Sequence, residues 1–426
     1  MTSNTDLSDK DIIKYKSFSD IYEEMLENIP SDSDKKSKIE ETIMNLFKGV
    51  VDYGFENPTP IQAKTIMPLH LGRDIIAQSQ SGTGKTGAFT IGFLSRINPA
   101  KHMPQAIILA TTRELATQIN SVCASISEHL KLKTCLSIGG EYMGVNKNIQ
   151  EARTSHIIIG TPGRVGNIVK DKSIKMKYVQ TFILDEADAL LSDDFVEQIH
   201  EIIMELDKSA QICVFSATLD EKTLKITENF MSDPLTITLK KEELNLDIIS
   251  QFRVELEFEN YKIPTLFDLY KKLTITQAVI FANTVNRAKY VHSKMEENGH
   301  EVGLIHGQMT CDERMDILRR FRVGEIRVII ATDVIARGID VQQIGLVFNY
   351  DIPQDKITYL HRIGRSGRYG KKGVAINFIV SKSDSGRKKK PKKMDNEKME
   401  DITNYYSNKI EHLPNPEKIN KILMGK

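Results

Sequence analysis

The segment SQSGTGKT, residues 79–86, decides how the first half of this chain folds. It follows a short apolar run and precedes a stretch that can form a helix. A strand, a glycine-rich loop and a helix in this order are the setting of a P-loop, whose backbone amides and lysine hold phosphate oxygens. We therefore predict that Lys85 neutralises the outer phosphates of a nucleoside triphosphate and that the Thr86 hydroxyl serves a Mg²⁺ ion.

The rest of the loop fits the same interpretation. Glycines let the backbone approach phosphate oxygens closely. Ser79 stands where the general pattern has glycine, so a plain glycine-rich turn is the alternative. The loop residues assigned to the nucleotide are Ser79, Gln80, Ser81, Gly82, Thr83, Gly84, Lys85 and Thr86.

Short apolar runs rich in β-branched residues recur along the chain and mark buried strands. In the first half they lie at 106–110, 156–160, 181–185 and 212–217. The pattern then restarts, at 277–282, 302–306, 327–332, 345–350 and 373–379. Apolar strands that alternate with amphipathic stretches predict parallel sheets covered by helices on both faces. Two such series predict two tandem α/β domains.

Composition suggests the domain limits. Residues 1–40 are polar and predict a poorly ordered or weakly helical arm, followed by a helix over 40–52. The first domain is expected over 41–238, the charged segment 239–249 is expected to be a linker, and the second domain is expected over 250–426.

The overall charge excludes a global positive field. The 426 residues carry a formal net charge of +1, so any nucleic-acid binding must use a local surface. The 4 cysteines are scattered, and no secretory signal or membrane-length apolar run is visible, which predicts a soluble protein in a reducing compartment. A basic insertion at about 385–395 is interpreted as a solvated loop, a targeting signal or an RNA-contacting patch. We expect cytoplasmic residence, with the nucleus as the alternative if this run is a signal.

The motif DEAD, residues 185–188, directly follows an apolar strand. Parallel sheets bind ligands at the carboxyl ends of their strands. We therefore predict that Asp185 holds Mg²⁺ and that Glu186 polarises the attacking water. A solvated acidic turn is the alternative. Ser216 and Thr218 bring two hydroxyls to the end of the next strand, a pattern that indicates no function by itself. Their assignment to coupling comes from the family resemblance given below.

The second series contains HRIGRSGR, residues 361–368. Planar guanidinium groups suit phosphate recognition. We predict that Arg365 and Arg368 act as arginine fingers on the outermost phosphate. A basic surface loop is the alternative.

These segments, in this order, resemble the DEAD-box RNA helicases over roughly residues 45–426. The resemblance implies two RecA-like domains and an RNA-dependent ATPase that uses ATP and Mg²⁺. The motifs that carry it are GFENPTPIQ (54–62), AQSQSGTGKT (77–86), TRELA (112–116), GG (139–140), TPGR (161–164), DEAD, SAT (216–218), VIFANT (279–284), ATDVIARGID (331–340) and HRIGRSGR.

The resemblance also implies roles for further residues. Phe55 would stack on adenine and Gln62 would hydrogen-bond the edge of the base, since an amide donates and accepts at once. Asp340 would lie near the ribose, and His361 would join an interdomain network. Small residues and arginines would contact RNA phosphates and sugars, so sequence preference should be weak. The residues assigned to RNA are Thr112, Arg113, Gly139, Gly140, Thr161, Pro162, Gly163, Arg164, Thr332, Arg337 and Gly338.

Within the family, the sequence is most similar to eukaryotic translation initiation factor 4A and its nuclear paralogue. This predicts local unwinding of short RNA duplexes in translation initiation, or, alternatively, an ATP-dependent RNA clamp in rRNA processing or mRNA surveillance. A protein activator that bridges the two domains is expected, no membrane association is expected, and the protein is expected to be a monomer. A clamp that rarely turns over and a DNA translocase are rival interpretations. Thr111 stands where the family usually has proline, and Phe18 lies too far upstream to be given the role of the subfamily's upstream aromatic.

Overall fold

A computed structural model describes residues 15–29, 33–79, 82–139, 145–191, 195–219, 221–231, 233–238, 249–335, 344–366, 372–382, 394–406 and 410–424. The chain divides into two compact units, Met1–Glu243 and Leu244–Lys426. Each unit is described by itself below. The segment predicted to be a linker lies almost entirely outside the described residues.

The first unit is built on a parallel sheet of seven strands. Its order is β3-β4-β2-β5-β6-β1-β7, so the strand order reverses within the sheet. The central strands are wholly buried runs of isoleucine, leucine, valine and phenylalanine, because helices cover both faces. The strands are β1 (Ile75–Gln78), β2 (Ala106–Leu109), β3 (Thr134–Ser137), β4 (Ile157–Gly160), β5 (Thr181–Asp185), β6 (Gln211–Ser216) and β7 (Leu235–Thr238).

Ten helices accompany this sheet among the described residues. They begin at polar caps or at prolines in several places, as at Thr59–Pro60 and Thr161–Pro162. The helices are α1 (Phe18–Glu27), α2 (Ser33–Asp52), α3 (Pro60–His70), α4 (Lys85–Leu94), α5 (Arg113–Ile126), α6 (Val145–Thr154), α7 (Pro162–Val169), α8 (Ala187–Leu190), α9 (Val196–Met204) and α10 (Glu221–Thr227).

The prediction of a weakly structured arm over residues 1–40 requires correction. Ser17 and Asp20 form a capping box at the start of α1, and Phe18, Ile21 and Met25 are buried on one face of that helix. α1 packs against α2 and α3 through this apolar face. The segment is polar on average, but its few apolar residues lie on one side of a capped helix, which composition alone does not reveal. The helix predicted over 40–52 begins earlier, at Ser33. Residues 1–14 of the predicted arm lie outside the described residues.

The second unit repeats the first sheet strand for strand. Its order is β10-β11-β9-β12-β13-β8-β14, again with all strands parallel. This confirms the prediction of two similar parallel α/β domains. The strands are β8 (Ile249–Leu256), β9 (Ala278–Phe281), β10 (Gly303–Ile305), β11 (Val328–Ala331), β12 (Leu346–Asn349), β13 (Gly373–Val380) and β14 (Glu411–His412). The helices are α11 (Lys262–Lys272), α12 (Val285–Glu297), α13 (Cys311–Arg322), α14 (Lys356–Ile363), α15 (Asp395–Tyr406) and α16 (Pro416–Leu423).

The short apolar run before the P-loop forms β1, and four other strands were not predicted from apolar runs: β3, β7, β8 and β14. Three of these, β3, β7 and β14, are edge strands of their sheets. In the described part of the chain, no helix is long and apolar enough to cross a bilayer.

Candidate functional site

Most of the predicted site residues of the first unit lie along the carboxyl edge of its sheet, whereas Phe55 and Gln62 precede β1. The P-loop follows β1, DEAD begins at the last residue of β5 and Ser216 ends β6, and these three strands are neighbours. The segments assigned to RNA follow β3, β4 and β2, which form the adjacent half of the same sheet. One edge therefore carries two neighbouring sets of polar groups.

The P-loop backbone is held against the sheet. The Ser79 N–H donates to the Ser216 carbonyl oxygen at 2.9 Å, which continues the ladder beyond the last paired residues. Gly82 and Gly84 have φ angles of 84° and 96°, which glycine adopts without strain. The Lys85 side chain is buried, and its Nζ donates to the Ser79 carbonyl oxygen at 2.7 Å. The lysine side chain thus folds back onto the start of its own loop.

Other loop residues complete this turn. The Ser79 and Thr83 hydroxyls are in direct contact. Thr86 is half-buried in the first turn of α4. Gln80 and Ser81 lie outside the described residues.

Gln62 ties the loop to the helix that precedes it. Its Oε1 accepts from the Thr59 N–H at 2.8 Å, and its Nε2 donates to the Gly84 carbonyl oxygen at 3.3 Å. The Oε1 atom can accept a second hydrogen bond and the Nε2 atom can donate a second one, so the Gln62 amide can still bind the edge of a base. A Cβ added at Gly84 or Gly87 would lie 2.8 Å from the same Nε2. A Cβ at either position would therefore displace the Gln62 amide, and at Gly87 also the Phe55 ring.

An aromatic cluster lies beside Gln62. The Phe55 ring stacks on the Phe18 ring with centroids 5.8 Å apart and planes 14° apart. Tyr53 meets Phe55 edge to face at 4.9 Å. Phe18 is a residue to which sequence reasoning gave no role, because its distance along the chain hid its position. The packing of α1 against α3 brings it to Phe55, the residue predicted to stack on adenine.

Asp185 and Glu186 occupy a buried, charge-rich corner. Burial raises the pKa of Asp185 to about 7; the positive charge of Lys85 opposes this shift, and the neighbouring Glu186 carboxylate adds to it. Glu186 has φ 55° and ψ 50°, a left-handed conformation that a non-glycine residue rarely adopts. Its N–H donates to Asp185 Oδ1 at 3.0 Å. A buried carboxylate whose charge is disfavoured fits a site that takes a cation.

The last aspartate of DEAD connects to the end of β6. The Ser216 hydroxyl donates to Asp188 Oδ1 at 2.9 Å, and the Thr218 hydroxyl donates to Asp188 Oδ2 at 3.3 Å. The structure therefore brings together the two residues assigned to coupling and joins them to the acidic motif.

Thr111 forms a second link to the acidic motif. Its hydroxyl donates to Glu186 Oε2 at 3.2 Å. The sequence identified Thr111 as a departure from the family pattern and assigned it no role.

The described residues of the first unit that were assigned to RNA lie at the starts of α5 and α7 and in the loop after β3. Thr112 caps α5, accepting from the Leu115 N–H at 3.2 Å, and Arg113 begins the helix. A Cβ added at Gly139 would lie 2.9 Å from the Arg113 guanidinium, so the loop after β3 meets that arginine. Thr161, Pro162, Gly163 and Arg164 form the first turn of α7. Gly140 lies outside the described residues.

Arg164 joins two of these loops. Its Nε donates to the Ile138 carbonyl oxygen at 3.2 Å, while the Thr161 N–H donates to the Ser137 carbonyl oxygen, also at 3.2 Å. The ends of β3 and β4 are therefore fixed to each other. Two helix N-termini and two arginines converge there, which suits an anionic backbone.

In the second unit, three of the predicted site residues lie within the described ranges: Thr332, His361 and Arg365. Thr332 follows β11, and its N–H donates to the Ile305 carbonyl oxygen at 3.2 Å. His361 is buried in α14, and the buried Arg365 donates through Nε to the His361 carbonyl oxygen at 3.2 Å. Four predicted residues lie outside the described ranges, namely Arg337, Gly338, Asp340 and Arg368.

Arg362 has a structural position that sequence reasoning missed. It is fully buried, and its guanidinium donates to both carboxylate oxygens of Asp333, at 2.6 and 3.0 Å. It also donates to Asn283 Oδ1 at 2.8 Å and to the Asp351 carbonyl oxygen at 2.7 Å. One side chain thus joins the segments that follow β9, β11 and β12.

Comparisons with known proteins agree with this arrangement. The DEAD/DEAH box helicase model matches residues 59–226, and the helicase conserved C-terminal domain model matches residues 261–370. The chain is 45% identical over 371 residues to the ATP-dependent RNA helicase eIF4A of Candida albicans, covering 87% of this chain and 90% of that protein. It is 45% identical over 389 residues to the ATP-dependent RNA helicase FAL1 of Meyerozyma guilliermondii, covering 90% and 94%.

Solved structures give the same result. S. cerevisiae Dbp5 bound to RNA and ADP BeF3 superposes with a TM-score of 0.79 at 33% identity, covering 89% of this chain and 97% of that one. A Dbp5 variant bound to a Gle1 variant and IP6 superposes with a TM-score of 0.73, also at 33% identity, covering 89% and 96%. The two ranges matched by the family models fall one in each compact unit.

Proposed function

Because this chain belongs to the DEAD/DEAH box helicase family, we propose that it is an ATP-dependent RNA helicase of the initiation factor 4A type. It would bind single-stranded RNA and open short duplexes locally. The observation that carries this proposal is the shared sheet edge of the first unit, where the P-loop and the DEAD carboxylates adjoin the converging helix N-termini of α5 and α7.

In the proposed ATP site, different residues bind the phosphates, the adenine and the Mg²⁺ ion. Lys85 neutralises charge on the outer phosphates, and Phe55 and Gln62 hold the adenine. The Thr86 hydroxyl and the Asp185 carboxylate are hard oxygen donors of the kind that Mg²⁺ prefers. When bound, Mg²⁺ would supply positive charge to the phosphate oxygens.

Glu186 is the residue proposed to act on water. Its carboxylate would orient the attacking water and accept its proton as the outermost phosphoryl group is transferred. Glu186 has a left-handed backbone conformation, the kind of local strain that clusters at active sites, which supports this role.

The RNA contacts proposed for this chain are to the sugar–phosphate backbone. Arg113 and Arg164 supply positive charge, and the first turns of α5 and α7 supply backbone N–H groups. No groove-reading element is involved, so sequence preference should be weak.

A clamp mechanism follows if the second unit completes both sites. Arg365 and Arg368 would complete the ATP site, His361 would belong to the network that joins the two halves, and Thr332 would extend the RNA contacts. ATP and RNA would then strengthen each other's binding by the same factor. Fully additive binding of ATP and RNA to the purified protein would contradict the clamp.

Translation initiation is the pathway we propose, with a cytoplasmic location. The similarity to eIF4A supports it, and the similarity to FAL1 supports the alternative, a nuclear paralogue in rRNA processing or mRNA surveillance. Depletion of the protein should reduce polysomes under the first proposal, and should instead cause precursor rRNA to accumulate or impair mRNA surveillance under the second.

A protein activator is part of this proposal. The Dbp5 variant, a structural neighbour, has been solved bound to a Gle1 variant, which supports a protein partner for this chain. We propose that such a partner binds a monomer of this chain.

ATP hydrolysis by the purified full-length protein tests the proposed activity. We expect single-stranded RNA to stimulate hydrolysis, single-stranded DNA to compete poorly, and Glu186→Gln to abolish the stimulation. Stimulation by DNA equal to that by RNA would favour a translocase instead, and the absence of RNA stimulation would favour a partner-dependent clamp.

A further inference from the structure

The end of β2 lies directly beside the end of β5, and this brings a hydroxyl to the acidic motif. Ile108 and Leu109 pair with Ile183 and Leu184, so the two chains leave the sheet side by side. On the other side of β2, the Ala110 N–H donates to the Gly160 carbonyl oxygen at 2.9 Å. The backbone that precedes Thr111 is therefore fixed from both flanks.

The Glu186 carboxylate, which accepts this hydrogen bond, has more rotational freedom than the Glu186 backbone. Glu186 is buried, and its main chain is fixed by the left-handed turn and by the hydrogen bond to Asp185. Its side chain nevertheless has three rotatable bonds: χ1 and χ2 each have several staggered wells, and χ3, which turns the carboxylate, is broad. A contact at the carboxylate is needed to select one orientation, because ordering a long side chain has an entropic cost.

Thr111 is well suited to provide that contact. A threonine is β-branched, so its χ1 angle has few choices and its hydroxyl is oriented before it binds. An ionised carboxylate only accepts hydrogen bonds, so the hydroxyl must be the donor across the 3.2 Å to Glu186 Oε2. The proline that usually stands here in the resembling sequences has no group that could donate.

We propose that Thr111 is a positioning residue for ATP hydrolysis, which holds the Glu186 carboxylate in the orientation used on the attacking water. This inference rests on the proposed ATPase function and deepens it. The hydroxyl fixes one carboxylate oxygen and leaves the group in a single orientation toward water. Thr111 itself does not touch the reacting atoms.

The matched variants are Thr111→Val, which keeps the branched shape without the hydroxyl, and Thr111→Ser, which keeps the hydroxyl. At saturating ATP and RNA, Thr111→Val should lower kcat about tenfold, the equivalent of about 1.4 kcal/mol, which is close to the lower end of the range for one hydrogen bond to a charged group. Thr111→Ser should return kcat to within about twofold of wild type, as expected if the hydroxyl alone matters.

The two KM values separate positioning from binding. Thr111 precedes the segment Thr112–Arg113 that is proposed to contact RNA, so a merely structural disturbance would raise the KM for RNA. Positioning predicts that the KM values for ATP and RNA stay within about twofold in both variants. Thr111→Ala provides a second hydroxyl-free variant if Thr111→Val does not fold, and it should show the same loss of kcat.

A double-mutant cycle isolates the partner. In the Glu186→Gln background, Thr111→Val should have no further effect on the residual rate, because the carboxylate that it positions is already gone. The inference is overturned if the hydroxyl-free variants match or exceed wild-type kcat, if Thr111→Ser is as slow as Thr111→Val, or if the loss is in the KM for RNA. A wild-type protein with no RNA-stimulated hydrolysis would overturn the proposed function, and the inference with it.

Discussion

Replacement of Asp185 by asparagine should stabilise the nucleotide-free protein, and the gain should grow as pH rises. Burial raises the pKa of Asp185 from 3.8 to about 7. The folded chain therefore holds a proton on this carboxyl more tightly than the unfolded chain does. The stability that this proton contributes is complete below the unfolded pKa and is lost as pH rises through the folded pKa. Asparagine has a similar shape and no charge to bury, so the variant escapes this loss.

The size of the effect follows from the displacement of the pKa. For a carboxyl whose pKa moves from 3.8 to about 7, linkage gives a loss on the order of 2–3 kcal/mol between about pH 5 and about pH 8. The residue lies in the unit Met1–Glu243, and in a domain of this size 1 kcal/mol shifts Tm by about 2–4 °C. The Tm advantage of Asp185→Asn should therefore grow by roughly 5–10 °C across that pH interval.

Scanning calorimetry of the full chain, without nucleotide or divalent cations, measures this difference. The matched control is Asp207→Asn, at an exposed aspartate. Hydrogen bonds from Ser209 lower the pKa of Asp207, so its replacement should have a small effect of the opposite sign. The reasoning is refuted if Asp185→Asn and wild type unfold together at both pH values, or if the advantage of the variant shrinks as pH rises.

Three other variants test the packing around the proposed sites. Arg362→Met should lower the free energy of unfolding by about 1–3 kcal/mol, since the buried Asp351 carbonyl and the partly exposed Asn283 and Asp333 side chains lose their donor. Arg319→Met, at an exposed ion pair, should cost less than about 0.5 kcal/mol in the same denaturant titration. Gly87→Ala should raise the KM for ATP about tenfold or more, because its Cβ would crowd the adenine-side residues; an unchanged KM would contradict this. Phe18→Ala should raise the KM for ATP about threefold while Tyr22→Ala, whose ring packs elsewhere, does not.

The sequence predicted the strands that are buried on both faces. β2, β4 and β5 appear as continuous apolar runs because helices cover them on either side. The strands β3 and β7 lie at the edges of the first sheet, with alternating or partial burial, and they mix polar with apolar residues. Such strands have no run to detect, so their pairing was visible only in the fold.

The site was predictable where a motif fixes both the residue and its place. The loop around Lys85 and the acidic pair after β5 lie at neighbouring strand ends, as their positions after buried strands imply. Contacts between distant segments were not predictable. Phe18 reaches Phe55 only because α1 folds back, and the sequence gives no measure of that distance.

A sequence motif also does not show which of its side chains are buried. HRIGRSGR contains several basic side chains, and the sequence alone does not say that Arg362 turns into the core to bind Asp333. Likewise, Thr111 was visible as an unusual residue, but only the adjacency of β2 and β5 shows that its hydroxyl meets Glu186. The contact between Thr111 and Glu186 therefore follows from the strand pairing in the fold, which the sequence pattern does not give.

Strand separation is the measurement that tests the central claim most directly. A short RNA duplex with a single-stranded overhang would be incubated with the full-length protein and ATP, beside Glu186→Gln and a DNA duplex of the same sequence. We predict that wild type separates the RNA strands when ATP is present, that it leaves the DNA duplex paired, and that Glu186→Gln shows no repeated turnover. A protein that hydrolyses ATP but never separates the RNA strands, or that separates DNA equally well, would contradict the assignment as an RNA helicase.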